Sequence, residues 1–309
     1  MKVIHNLIET KIEGCVATIG FFDGVHAGHR YLIEQVKSTA RTKGLSSMLI
    51  TFPVHPRKIM NSDYQPELLS TPKEKAELLE QTGADYCVML DFTPQLSHLT
   101  ASEFMLQILK DRFNVQCLII GYDHRFGRNR SEGFDEYLAY GKTIGMEVMR
   151  AKACILEDIN VSSSAVRLLL QNGDVSKANL CLGYEYYLDG TVVDGYKVGR
   201  HLGFPTANLK VEDPDKLVPL DGVYAVKVTV EEQEHIGMLY IGNRPTINNG
   251  KNKTIEVNII NFDADIYDRF MRITFVKRVR PDMKFGSKEK LIEQLHKDRE
   301  AVIEIFNRL

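Results

Sequence analysis

The sequence predicts an α/β chain in two parts: an N-terminal half built on a parallel sheet, then an antiparallel barrel or sandwich closed by one helix. Three observations carry this. Short apolar runs alternate with helically spaced segments through the first half. After about Leu182 the pattern changes to strand-like runs separated by turn residues. A length of 309 residues is also long for a single compact core.

In the first half, Cys15–Ile19, Met48–Phe52, Tyr86–Leu90 and Cys117–Ile120 read as buried strands, with a weaker run at Met146–Met149. Between them, Tyr31, Leu32, Val36 and Ala40, then Ala76, Leu78 and Leu79, then Phe104, Met105, Ile108 and Leu109 have helical spacing. Such alternation implies a parallel sheet covered on both faces. In the second half, Val223–Val230, His235–Ile241, Thr254–Ile260 and Arg272–Val276 read as strands, parted by turns such as Asp221-Gly222 and Asn248-Asn249-Gly250. A final helix opens near Ser287 and offers Leu291, Leu295, Val302, Ile305 and Phe306 as its apolar face. The boundary is expected at Gly183 to Glu185, giving parts 1–183 and 184–309.

Composition narrows the partners. Hydrophobic residues at 44% and charged residues at 26% are those of an ordinary globular chain. A net charge of −2, shared evenly between the halves, supplies no field for a polyanion, so nucleic acid is not expected as a partner. Five scattered cysteines without a C-x-x-C pair read as reduced core residues. The first twenty residues lack the long apolar stretch of a secretory signal, and no run has the length to span a bilayer, so a cytoplasmic protein without membrane contact is expected.

The strand ending at Gly20 runs into Gly20-Phe21-Phe22-Asp23-Gly24-Val25-His26-Ala27-Gly28-His29, and a helix follows. In an open parallel sheet, ligands bind beyond the carboxyl ends of the strands, where a helix N-terminus offers free N–H groups to a phosphate. Gly20, Gly24 and Gly28 let the backbone approach an anion, and two histidines three apart can donate to oxygens that gain charge as pyrophosphate leaves. Alone, the pair reads equally as a metal site or two surface histidines; strand, glycines and helix favour the phosphate reading. Neither G-x-G-x-x-G nor the P-loop fingerprint accompanies it.

The segment Gly20–His29 resembles the H-x-G-H motif of the nucleotidylyltransferase superfamily, in the form found in bacterial bifunctional riboflavin kinase/FAD synthetases. Thr51-Phe52-Pro53-Val54-His55-Pro56, Gly121-Tyr122-Asp123-His124-Arg125-Phe126-Gly127 and Val161-Ser162-Ser163-Ser164-Ala165-Val166-Arg167 match that family in order. The resemblance implies a Rossmann-like domain in which the ionised FMN phosphate attacks the α-phosphorus of ATP and pyrophosphate departs. His26, His29 and Arg167 are then the catalytic groups. Phe22, Asp23, the three glycines and Ser162, Ser163 and Ser164 serve the nucleotide, although one serine also suits a helix N-cap. His55, Asp123 and Phe126 serve the flavin, His55 least securely since a loop histidine is often only solvated. Magnesium is implied, held largely by substrate oxygens and water. His124 stands where the family more often has phenylalanine.

The second half opens with Gly190-Thr191-Val192-Val193-Asp194-Gly195 and continues through Gly199-Arg200-His201-Leu202-Gly203-Phe204-Pro205-Thr206-Ala207-Asn208-Leu209. On an extended stretch Thr206 and Asn208 point the same way, so hydroxyl and amide oxygen are placed to ligate magnesium on ATP. A hairpin with a structural asparagine has the same pattern. The stretch is similar to the riboflavin kinase pattern, as are Gly222–Val226, Ile241–Thr246, Thr254–Asn258 and the closing Arg280–Asp298. That resemblance implies a β-barrel in which Glu256 takes the proton from the ribityl hydroxyl for attack on the γ-phosphorus, while Gly195, Gly199 and Arg200 cover phosphates. Tyr240 and Asn258 depart from the family, where asparagine and histidine are common.

The resemblance covers essentially the whole chain and implies riboflavin, FMN, FAD and ATP as small-molecule partners; it leaves a homo-oligomer open. Two other readings keep the fold: one half serving only as a flavin-binding or regulatory module, or a nucleotidylyltransferase with another acceptor. The kinase-like barrel speaks against the latter.

Overall fold

The computed structural model describes residues 1–5, 12–60, 63, 65, 67–121, 124–152, 154–156, 159–195, 199, 202–243 and 253–309. By its internal contacts the chain divides into two compact units, Met1–Ser163 and Ser164–Leu309.

In the first unit six strands form one sheet among the described residues: β1 (Lys2–His5), β2 (Cys15–Ile19), β3 (Ser46–Thr51), β4 (Tyr86–Met89), β5 (Val115–Ile120) and β6 (Glu147–Arg150). Their order is β1-β4-β3-β2-β5-β6, and every pairing is parallel. The expected strands are present; β1 was not foreseen. From β2 the chain builds β3 and β4 to one side, then crosses to build β5 and β6 on the other. The switch in direction therefore lies between β2 and β5, where an open α/β sheet leaves a crevice at its carboxyl edge.

Helices α1 (Ala27–Lys43), α2 (Pro56–Met60), α3 (Pro72–Glu80), α4 (Pro94–His98), α5 (Ala101–Glu103) and α6 (Phe134–Ile144) flank this sheet. Helix α1 buries Leu32, Ile33, Val36 and Ala40, a stripe at i, i+1, i+4 and i+8. Tyr31, expected on that face, is 40% exposed instead, and Ile33 is buried. Phe104–Arg112, expected to be helical, is wound as a π-helix that ends with the Phe113 N–H on the Ile108 carbonyl (3.2 Å). That winding buries Phe104, Met105, Leu109 and Phe113 together. A two-residue hairpin pair, β7 (Ile155–Leu156) and β8 (Ile159–Asn160), precedes α7 (Ser163–Gln171).

The second unit holds α8 (Val175–Leu182) and a closed barrel in the order β10-β13-β12-β11-β14-β9, antiparallel throughout. Its strands are β9 (Tyr187–Val193), β10 (Ala207–Val211), β11 (Gly222–Val230), β12 (Gln233–Asn243), β13 (Lys253–Ile259) and β14 (Phe270–Pro281). Closure settles barrel over sandwich. β9 escaped the sequence reading because Asp189 interrupts its apolar run; in the fold that carboxylate takes two hydrogen bonds of 2.7 Å from Arg272. The turn Asn248-Asn249-Gly250 lies outside the described residues. Helix α9 (Lys288–Asn307) starts at the Ser287 N-cap and packs Val302 with Val223, Ala225 and Met238 of the barrel wall. The almost wholly buried Asp298 pins it down through hydrogen bonds from Arg280 and Gln294.

Candidate active sites

On the first unit's rim, the chain leaves β2 at Gly20, makes a 3₁₀ turn at Asp23–Val25, and enters α1 through His26. Asp23 is 2% exposed, and its oxygens accept from the backbone N–H groups of Leu69 and Ser70 at 3.0–3.1 Å. The Ser70 hydroxyl in turn accepts from the Gly24 N–H (2.9 Å). The carboxylate thus anchors the loop from beneath. Ser163, the first residue of α7, donates its hydroxyl to the Asp23 carbonyl at 3.1 Å, joining a third sequence-distant segment to the same turn. Ser162 is exposed and immediately precedes it, and Ser164 and Arg167 follow within the helix's first turns.

His26 is the N-cap of α1, its Nδ1 accepting from the His29 N–H at 3.2 Å. In the neutral ring the proton then sits on Nε2, leaving that nitrogen a donor. The His26 and His29 rings stack, with centroids 3.6 Å apart and planes 18° off parallel, while Phe22 meets His29 edge-on at 5.2 Å. Gly28 makes the stack possible, for a Cβ there would lie 3.1 Å from both His26 Nδ1 and the Val161 carbonyl. Gly20 lies as closely over the Phe22 ring.

His124 follows β5 and so belongs to the neighbouring strand end. Burial, then the adjacent imidazoles of His26 and His124 and the Lys75 ammonium, holds the His29 pKa well below its usual value. Burial and the Arg130 charge push that of His124 down to about 4. Both rings are neutral at pH 7. Each carries a buried nitrogen without a hydrogen-bond partner among the described residues, Nδ1 of His29 and Nε2 of His124. Orphaned buried polar atoms of this kind suit a site that binds a polar ligand. His55 sits edge-on to Phe21 at 4.6 Å. Phe126 is buried and stacked on Tyr137 (4.3 Å), whose hydroxyl bonds its backbone. Asp123 lies outside the described residues.

In the second unit the register assembles the site. Asn208 of β10 stands opposite Glu256 of β13, and Tyr240 of β12 stands opposite the same glutamate from the other side. The Thr206 hydroxyl donates to Glu256 Oε2 at 3.4 Å. A Cβ on Gly199 would fall 2.3 Å from the Phe204 carbonyl and 3.2 Å from Thr206 Oγ1. A Cβ on Gly195 would fall 2.1 Å from Asn208 Nδ2, so a side chain there would displace the amide. Arg200 lies outside the described residues. Asn258, 6% exposed, donates to the Pro205 carbonyl at 2.7 Å and so fixes the turn that presents Thr206. The Tyr240 hydroxyl donates to Asp282 (3.3 Å), and its pKa is pushed up to about 12 by burial and the nearby carboxylates of Asp282, Asp221 and Glu256.

A cleft of about 490 Å³ opens beside Thr206, lined also by Val192, Pro205, Asp263, Asp265 and Tyr267. The sequence reading passed over the last three, which follow β13 in a stretch with neither strand nor helix periodicity. It also missed Lys75. There a signal existed, since Lys75 precedes Leu78 and Leu79 by three and four residues and so shares their buried stripe on α3.

A family model described as FAD synthetase matches residues 8–165, and one described as riboflavin kinase matches residues 182–306. The chain is 34% identical to the bifunctional riboflavin kinase/FMN adenylyltransferase of Bacillus subtilis, over 99% of this chain and 96% of that one. It is 33% identical to the Escherichia coli protein of the same name, over 99% and 97%. A crystal structure described as a macrolide-efflux protein from Streptococcus pneumoniae shares the fold at a TM-score of 0.87 and 31% identity, covering 97% of this chain and 98% of that one. That description sits apart from the others; among the described residues no helix is long and apolar enough to cross a membrane. Two family models matched in order, together with relatives at 33–34% identity over 99% of this chain, show that the chain belongs to the bifunctional riboflavin kinase/FMN adenylyltransferase family.

Proposed function

We propose that the two reactions of this enzyme, phosphorylation of riboflavin to FMN and adenylylation of FMN to FAD, are carried by the barrel and by the parallel-sheet unit respectively, each with its own ATP. The adenylylating part is assigned to residues 1–183, because the Ser162–Arg167 motif belongs to it, and the kinase part to 184–309. By internal contacts α7 past Ser163 and α8 group with the barrel.

For adenylyl transfer the attacking FMN phosphate is already ionised, and no general base is required. Catalysis rests on alignment and on stabilising the charge that grows on departing pyrophosphate. His26 Nε2–H and a neutral His29 serve as donors there, Arg167 as a fixed charge, and the Gly20–Gly28 loop with Phe22, Asp23 and Ser162–Ser164 as the nucleotide cradle. Asp23 acts through the loop it anchors. His55, Asp123 and Phe126 are assigned to the flavin side.

For phosphoryl transfer Glu256 takes the proton of the terminal ribityl hydroxyl as that oxygen attacks the γ-phosphorus. Gly195, Gly199 and Arg200 form the loop over the phosphates. Thr206 and Asn208 offer one hydroxyl and one amide oxygen. Among the described residues no cluster of three or more carboxylate, histidine or cysteine ligands exists. So sparse a donor set fits magnesium, which keeps most of its shell as phosphate oxygens and water. When bound, the ion neutralises phosphate charge. The remaining assignments are a cytoplasmic location, no nucleic-acid or membrane partner, and a homo-oligomer as the alternative to a monomer.

The observation that carries the kinase reading is the contact between Thr206 and Glu256, fifty residues apart in sequence. The test is chromatography of the products formed from riboflavin, and separately from FMN, with magnesium and ATP. FMN and then FAD are expected from the first incubation and FAD from the second; absence of both products would overturn the reading.

A further inference from the structure

Lys75 is 2% exposed, the most deeply buried cation among the described residues of the first unit. Its Nζ donates to the Phe52 carbonyl at 2.6 Å, just past the end of β3, and lies 3.9 Å from the centroid of the Phe21 ring, just past the end of β2. The Thr51 hydroxyl ties the same two strand ends by donating to the Phe21 carbonyl (3.1 Å). Phe21 in turn stands edge-on to His55. Among the described residues no carboxylate comes within 4.0 Å of the ammonium, and only one of its three N–H donors is used. A buried charge so poorly compensated is expensive. Its position, under a loop that must hold a polyanion, gives a reason for keeping it.

We infer that Lys75 is a positioning residue for adenylyl transfer: its ammonium locks Phe21 and Phe52 together and sets a positive charge beneath the Gly20–His29 loop, strengthening that loop's hold on the ATP phosphates. The inference rests on reading that loop as the triphosphate site. Three titratable groups face the ammonium: Asp23 from the 3₁₀ turn, Cys87 from β4 and His29 from α1. Burial outweighs the first two and brings the Lys75 pKa down to about 8. The charge is therefore complete below that pH and disappears as pH rises through it.

The test uses the full-length enzyme with riboflavin phosphorylation as internal control. Lys75→Met keeps the stem and removes the charge. FMN adenylylation at neutral pH should fall about tenfold or more, mainly as a raised KM for ATP, with the kinase rate unchanged. Wild-type adenylylation should decline relative to phosphorylation between about pH 7 and about pH 9.5, and the variant should show no such decline. Wild-type adenylylation by K75M, or an alkaline decline equal to that of wild type, overturns the inference. If K75M does not fold, the wild-type profile decides, and a flat one overturns it. Loss of FAD synthesis in His26→Asn together with an unaffected K75M sinks only this inference, whereas wild type without FAD synthesis sinks the site reading beneath it.

Discussion

The histidines gathered at the first unit's rim come from strand ends that are neighbours in the sheet but about a hundred residues apart in the chain, His26 and His29 after β2 and His124 after β5. In the barrel they lie within paired strands, Asn208 opposite Glu256, so register rather than loop conformation brings them together. The chemistry differs in parallel. The first site offers neutral imidazoles and a buried cation to a nucleophile that is already ionised; the second centres on one half-buried carboxylate beside a hydroxyl and an amide. A parallel sheet gathers all its carboxyl ends on one rim, so its site is made of loops. A closed barrel has no such rim bias, and a one-residue slip would turn Glu256 to the other face.

The sharpest test of this contrast is Glu256→Gln, which keeps shape and hydrogen bonding but removes the base. Riboflavin phosphorylation should fall by about 10²–10⁴-fold, as for loss of a positioned general base. FAD formation from supplied FMN should not change. An equal loss in both assays would mean that the units are not chemically separate.

The reciprocal variant is His26→Asn. Asparagine is a favoured N-cap, so the start of α1 keeps its acceptor while the Nε2 donor disappears. Adenylylation should fall by about 10²–10³-fold, the cost of one preorganised donor to developing charge, with phosphorylation intact. Comparison with His26→Ala, which also loses the cap, separates the catalytic loss from that of helix stability.

These two residues also mark how far the sequence could be read. His26 and His29 were legible because strand, glycines and helix start are contiguous, and a local pattern suffices to place them on a rim. Glu256 looked like any carboxylate in an apolar strand, and only the family resemblance singled it out; its role depends on pairings with β10 and β12 that no local pattern encodes. The same holds for Lys75 and Asn258, whose partners Phe52 and Pro205 lie 23 and 53 residues away. Strands with unbroken apolar runs were read well. β1, β9 and β10 were not picked out as strands; the first is short, and Asp189 breaks the run of the second.

A milder test of the barrel side is Asn258→Ala. The Asn258 side chain, 6% exposed, donates to the carbonyl of the exposed Pro205, so truncating it costs that hydrogen bond, about 0.5–1.5 kcal/mol. Thr206 sits on the freed turn, and the expected result is a rise of about fivefold to tenfold in the KM for ATP in phosphorylation. A kcat loss as deep as that of Glu256→Gln would instead move Asn258 into the proton-transfer step.

The smallest effect concerns stability. The His124 pKa falls from 6.5 to about 4 in the fold. The folded ring stays neutral while the unfolded one takes up a proton below about pH 6.5, so the stability present above that pH drains away as pH falls towards about 4. His124→Phe keeps a ring at this position and removes the titration. Its thermal midpoint should therefore decline less than that of wild type between these pH values, by a few degrees for a unit of this size. His29, shifted the same way, still titrates in both proteins, so the acid limb should flatten without vanishing. His124 lies in the parallel-sheet unit. Calorimetry that resolves the two units should then show the difference only in the parallel-sheet transition, and an equal shift in the barrel transition would refute the assignment of this acid sensitivity to His124.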